Sequence, residues 1–263
     1  MSVTGFTGRV CFSLLLLTAW GYALATEQGP TISESIEAAL RSPDRPAADL
    51  KQDESRKARA FLGFVAVKPG MRVIDVFSAS GYYTELLARI VGVKGQIIAY
   101  NNPPYAAFAR KGIEERYAGG RLSNVRQITA TIEDLALAPA SLDKAIFVMS
   151  YHDLYWRPDD GSWPPTEASM LLDKLFAAIR PGGEVIIQDH TAESAGDPFE
   201  VVTELHRIDP EVVQKDFAAA GFEFAGESEL LANPADDHSL EVYDPAIRGM
   251  TDRFVYRFRK PSR

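Results

Sequence analysis

The sequence predicts one α/β domain, a mostly parallel sheet with helices on both faces and an antiparallel last strand. Three observations carry this. Between Met71 and Gly221, short apolar runs alternate with segments of helical period, the pattern of repeated strand–helix units. After Gly221 two strand-like runs, Phe222 to Glu227 and Arg253 to Phe258, follow with no helix between them, which suggests an antiparallel edge. A chain of 263 residues, 46% hydrophobic and 24% charged, buries one full core without dividing.

The N-terminus is a different kind of sequence. Arg9 precedes the apolar run VCFSLLLLTAW and the small-residue pattern Ala23-Leu24-Ala25, which reads as a secretory signal peptide over residues 1–25 cleaved before Thr26. The apolar run is shorter than the roughly 20 residues of a membrane span, so no stable membrane anchor is expected after cleavage. The expected location is periplasmic or secreted. Cys11, the single cysteine, lies inside this segment. A mature chain without a thiol has no disulfide, zinc-thiolate or cysteine-nucleophile chemistry. The net charge of −8 argues against a phosphate-tracking surface, and no nucleic-acid partner is expected.

Residues 26–263 then form the single domain, a helical segment over 26–66 followed by the core and tail over 67–263. Two helical patterns precede the first strand, separated by the charged connector SPDRPAADLKQDESRK; the second puts Ala58, Phe61, Leu62 and Val65 on one face. Lys68-Pro69-Gly70 stops it, and Met71 to Phe77 is the first strand. Tyr83, Leu86, Leu87, Ile90 and Val91 follow at helical spacing up to Gly92. A strand at Gln96 to Tyr100, a helix around Tyr105 to Tyr117 and a strand near Val125 to Ile128 come next. Ala145 to Met149 is another buried strand; Leu172, Leu175, Phe176 and Ile179 mark the helix before Pro181-Gly182-Gly183, and Glu184 to Gln188 the strand after it. Asp209-Pro210-Glu211 opens a helix, with a capping carboxylate, a proline in the first turn and an acid near the positive helix end.

Ligands of open α/β sheets sit outside the carboxyl ends of the strands. Two of the four histidines fall there, in Tyr151-His152-Asp153 and Asp189-His190, while His206 precedes the last helix and His238 lies in a polar tail loop. His152 is the candidate general base, since imidazole titrates near neutral pH, with Asp153 or Asp189 orienting it and His190 alongside. The same groups could instead bond the backbone of their own turns. His152, Asp153, Asp189, His190 and His238 also include donors that suit a metal. No local histidine pair supports one, however, and adjacent strand residues such as Asp189 and His190 usually face opposite ways, so no metal set is assigned. Trp156, Trp163 and Pro164-Pro165 read either as a lid or as an ordered surface loop.

The segments GYYTELLAR, AYNNP, SYHDLYW, PGGEVIIQDH, LHRID and NPADDHS, with DPAIRG and TDRFV, span about Arg45 to Pro261. On them and on the order of elements, the chain resembles the class I S-adenosylmethionine-dependent methyltransferases, and within them exported bacterial predicted methyltransferases. The resemblance implies a Rossmann-like sheet, S-adenosylmethionine (SAM) as cofactor and a small-molecule methyl acceptor. In the family the first strand ends in an acid followed by glycines two, four and six positions later; here Asp75 is the acid, and Phe77, Ala79 and Gly81 occupy the glycine places, with Ser78 between them. Asp75 would orient loop amides or contact the methionine end of the cofactor. Asn101 stands where an acid accepts from the ribose hydroxyls, Thr131 where an acid meets the adenine amino group, and Ile132 would pack on the ring. Tyr82, Tyr83 and Tyr151 would shield the sulfonium. Two other readings stay open: a non-catalytic binding protein that kept the sheet, and a metal-assisted hydrolase.

Overall fold

The structure, a computed structural model, describes residues 30–193 and 196–262, with residues 1, 2, 4 and 5. The expected signal segment and Cys11 therefore lie outside the described residues, apart from those four. Among the described residues no helix is long and apolar enough to cross a membrane.

The chain opens with α1 (Ile32–Leu40), whose first turn is closed by a reciprocal capping box between Thr31 and Glu34. The charged connector holds the short α2 (Ala47–Leu50), and α3 (Ala58–Val65) buries the expected face of Ala58, Phe61, Leu62 and Val65. The sheet then builds through β1 (Arg72–Val76), α4 (Tyr82–Val91), β2 (Gln96–Asn101), α5 (Pro103–Tyr117), β3 (Val125–Thr129), β4 (Leu142–Val148), α6 (Ala168–Ala178) and β5 (Ile179–His190). It finishes with α7 (Pro198–Leu205), α8 (Pro210–Ala219), β6 (Glu223–Glu227) and β7 (Arg253–Arg259). Seven strands lie in the order β3-β2-β1-β4-β5-β7-β6. The first five run parallel, and β7 inserts antiparallel between β5 and β6. The expected architecture is therefore the observed one.

Alternation along buried strands supplies a core on each face. On one face Phe147, Ile187 and Phe258 pack with Leu172 and Leu175 of α6 and Phe217 of α8. On the other, Ile146, Ile186 and Val255 pack with Phe61 and Leu62 of α3 and Leu86 and Leu87 of α4. Besides shifts of a few residues at strand ends such as that of β4, two boundaries and one helix differ from the sequence reading. Strand β5 starts at Ile179, because Ile179 pairs with Leu142 before Arg180 to Gly183 bulge out and Glu184 resumes opposite Lys144. Helix α5 starts earlier, since Asn102 accepts from the Tyr105 amide at 2.9 Å and prolines fill its first turn. Helix α7 was not expected at all, although Asp197-Pro198 opens it by the same device as Asp209-Pro210.

The connector is not loose. Arg45 pairs with Asp53 through two bonds of 2.7 Å, and Tyr82 donates to the same carboxylate at 2.6 Å. Arg116 of α5 joins Asp49 at 2.9 Å to Glu85 of α4 at 2.5 Å. These buried pairs fix the connector beside the carboxyl end of β1.

Candidate functional site

At the end of β1 the backbone turns through three residues of positive φ: Phe77 at 53°, Ala79 at 48° and Gly81 at 81°. A side chain in that conformation costs about 1–2 kcal/mol, so the surroundings must hold it. The Ser78 amide donates to Tyr100 O at 3.0 Å, and the Ala79 amide to Asn101 Oδ1 at 2.9 Å. Asn101 Nδ2 returns bonds of 3.2 Å to Ser78 Oγ and to Ala79 O. Phe77 is buried and stacks on Tyr105, centroids 5.0 Å apart and planes 14° from parallel. Gly81 has no such freedom to change, because a Cβ there would lie 2.9 Å from both Arg116 Cδ and Tyr117 Oη.

Beyond this loop lies a cavity of about 290 Å³. The loop residues Phe77 to Ser80 form one wall, Tyr82 and Tyr83 of α4 with Arg56 a second, and Met149, His152 and His190 the third. Tyr105 and the exposed Phe108 of α5 meet Tyr243 of the tail around it. Asp75 also lines it; Thr84 Oγ1 donates to Asp75 Oδ2 at 2.5 Å, and burial pushes the carboxyl up to about 7.

The histidine wall is built around Asp189, which is fully buried at the end of β5. Its Oδ2 accepts from the backbone amides of Tyr151 at 2.8 Å and His152 at 3.0 Å; its Oδ1 lies 2.7 Å from His152 Nδ1 and accepts the His190 amide at 2.8 Å. Asp153 Oδ1 stands 3.5 Å from His152 Nε2, and Tyr105 donates to Asp153 Oδ2. Burial opposes charge on His152, but the Asp189 and Asp153 carboxylates outweigh it and raise the imidazole to about 9. His190 and His206, whose rings each lie 5.9 Å from that of His152, are held neutral by burial, at about 3 and about 4. One charged imidazole thus sits against two neutral ones.

Comparison with known proteins places this arrangement. A profile of the protein-L-isoaspartate(D-aspartate) O-methyltransferase family matches residues 54–118, the stretch from α3 to α5 that contains the loop. Carboxy-S-adenosyl-L-methionine synthase of Vibrio cholerae is 29% identical over 141 residues, covering 53% of this chain and 52% of that protein. Ribosomal RNA large subunit methyltransferase E of Acinetobacter baumannii is 30% identical over 121 residues, covering 40% of this chain and 56% of that protein. The chain thus spans about half the length of the curated relatives it matches. Among solved structures, a SAM-dependent methyltransferase from Aquifex aeolicus superposes with a TM-score of 0.55 at 18% identity, covering 84% of this chain and 97% of that one. The partial sequence matches and the shared fold support kinship with the class I SAM-dependent methyltransferases. The cyclase SpnF has the same fold, with a TM-score of 0.52 at 16% identity over 88% of this chain and 97% of its own.

Within this superfamily fold, Asp75, Phe77, Ser78, Ala79, His152 and His190 come together at the cavity, with Asp153 and Asp189 behind His152. Other expected residues do not reach it. Asn101 turns its amide into the loop, Thr131 is exposed and bonds Asp134 at 3.1 Å, and Ile132 is core. Tyr151 is buried with its hydroxyl on Asp216 at 2.7 Å, and Gly81 packs under Arg116 and Tyr117. His238 lies apart, 3.2 Å from Asp252. Among the described residues no three His, Cys, Asp or Glu side chains converge as a metal site. The Trp156–Trp163 pair, centroids 5.4 Å apart, packs onto the site; Trp163 Nε1 donates to Asp153 O at 2.9 Å and its ring meets the edge of Tyr105. Sequence reasoning missed Arg56, Tyr105, Phe108 and Tyr243. AYNNP ends just before Tyr105 and Phe108, and DPAIRG starts directly after Tyr243, but neither segment marked those residues as lining a site.

Proposed function

We propose that this protein is a SAM-dependent methyltransferase acting on a small-molecule acceptor outside the cytoplasm. The observation that carries the reading is the loop over Asp75. Phe77, Ala79 and Gly81 hold positive φ at the three places where the family has glycine, so the backbone shape is kept where two of the side chains are not. The fit to SAM is good at the methionine end, where Asp75, the loop and a set of aromatic rings surround the cavity. It is poor at the nucleoside end, where the Phe77–Tyr105 stack stands and Asn101, Thr131 and Ile132 offer nothing to the cavity.

When bound, SAM supplies a methyl group on an activated sulfonium carbon, so positioning is the main task left to the chain. His152, protonated at neutral pH, donates a hydrogen bond to the acceptor rather than removing its proton. A role as general base would require pH above about 9. Asp189 fixes the ring, and Tyr105 fixes Asp153.

Calorimetric titration of the mature protein with SAM and with its demethylated product tests the reading; no heat and no thermal shift at millimolar ligand would sink it. The closed nucleoside side favours a second reading, a binding protein that keeps the fold without methyl transfer. Tight binding of the product-like nucleoside with no transfer to any acceptor would select it. The export half rests on Arg9, the leucine-rich run and Ala23-Leu24-Ala25. Cell fractionation with intact-mass measurement should find a periplasmic chain that starts at Thr26, and a cytoplasmic chain retaining Cys11 would overturn it.

A further inference from the structure

Among the described residues four arginines are buried: Arg45, Arg116, Arg207 and Arg253. Three hold carboxylates at 2.7 to 2.9 Å, Arg45 with Asp53, Arg116 with Asp49 and Arg207 with Asp236. Arg253, 8% exposed, is the exception. Among the described residues it has no carboxylate within 4.0 Å; its Nη1 lies 3.9 Å from Sδ of Met149, a residue of the cavity wall, and its Nε has no partner. An unpaired buried charge is costly enough that a chain seldom keeps one without use.

The surroundings share the deficit. Arg253 lies opposite His190 across the β5–β7 pair, and His190 lines the cavity. The Tyr83 hydroxyl, also on the cavity, is buried without a partner, and so are both amide atoms of Gln188, two residues before His190 on the same face of β5. Arg56 brings a second guanidinium to that wall, 5.9 Å from the Tyr83 ring centre and 4.6 Å from that of Tyr82, again with no carboxylate in reach among the described residues. Burial, with Arg56 adding to it, holds the Arg253 guanidinium below the ordinary arginine range. Arg56 and a free phenol hydroxyl on the cavity wall, with the Arg253 guanidinium directly behind Met149 and His190, are complementary to a planar anion with two acceptor oxygens.

We propose that Arg253, Arg56 and Tyr83 form a carboxylate-binding subsite of the cavity. Two ligands could bring that carboxylate: the amino-acid end of SAM, an arm that rests on the function proposed above, or an acid group on the acceptor, an arm that does not.

Calorimetry on the parent protein, Arg253→Met and Arg56→Gln separates these. The first pair of probes is SAM against decarboxylated SAM; the second is benzoate against benzamide. The subsite predicts that the parent prefers the carboxylate member of at least one pair by about tenfold or more, the worth of a charged hydrogen bond. In Arg253→Met that preference collapses while the neutral member binds as before. Discrimination in the first pair assigns the carboxylate to the cofactor, and discrimination in the second alone assigns it to the acceptor. Failure of SAM to bind leaves the benzoate pair as a full test. Arg253→Met should melt no lower than the parent, because it removes an uncompensated charge; if it does not fold, Arg56→Gln decides by the same comparison. A parent that discriminates in neither pair, or a preference that survives in the variant, overturns the subsite.

Discussion

The two walls of the cavity are held by different physics. The loop wall is fixed by neutral hydrogen bonds, in which Asn101 accepts one amide and donates to two oxygens while Phe77 stacks on Tyr105. The histidine wall is fixed by charge, with Asp189 accepting three backbone amides and pairing with a protonated His152. The first preserves a shape whose usual sequence has been lost. The second places a cation on the cavity wall. Shape tolerates substitution if the bonds around it persist, whereas a buried ion pair does not.

The largest effect expected of that contrast comes from Asp189→Ala. It strands three backbone donors and leaves His152 without its main partner, and should cost about 3–5 kcal/mol. Chemical denaturation measures this, and a loss below 1 kcal/mol would mean that the wall is not built on charge.

The second largest is a pH effect. His152 is raised from 6.5 to about 9 in the folded protein, so its contribution is complete below pH 6.5 and is lost as pH climbs through about 9. Asp75, raised to about 7, adds to the slope near pH 7 and has finished its own change by about pH 8, while His190 and His206 titrate only on the acid side. Melting temperature should therefore fall between pH 7 and 9, and His152→Gln should flatten the slope over the same window. An equally steep slope in that variant would assign the titration elsewhere.

On the loop wall, Asn101→Asp exchanges two donors for acceptors facing Ser78 Oγ and Ala79 O. A loss of about 1–3 kcal/mol is expected, together with weaker SAM binding. Stronger binding would show that residue 101 meets the ribose, as the family resemblance implies. Ala79→Gly is the smallest change. It relieves a positive φ and gives back part of that gain as chain entropy, for a net stabilisation of about 0.5 kcal/mol. A lower melting temperature would place the strain elsewhere.

The elements were legible because their apolar periods are local, as in α3, α4 and β1. Helix α7 has an equally local start, since Asp197-Pro198 opens it by the same cap as Asp209-Pro210. The site was legible only in part. His152, Asp189 and His190 follow from their place beyond strand ends, but the charge on His152 depends on Asp153 and Asp189 arriving from two separate strand ends. Positive φ at Phe77 and Ala79 runs against the local preference of both residues and is imposed from β2 and α5. The direction of the Asn101 side chain is likewise a tertiary outcome. Nothing local marks Arg253 as the buried arginine without a carboxylate.

The position of β7 also governs the order in which this fold can be completed. Strand β6 touches the sheet only through β7, and β7 covers the side of β5 left open by β4. During synthesis Glu184 to His190 of β5, with Ile186 and Ile187 among them, must wait as an uncovered edge until Arg253 to Arg259 has emerged about sixty residues later. An open apolar edge of that kind is a template for pairing with other chains. The interval between translating His190 and translating Phe258 is therefore when a nascent chain of this protein is most exposed to misassembly, and when a chaperone bound to it would have the most to protect.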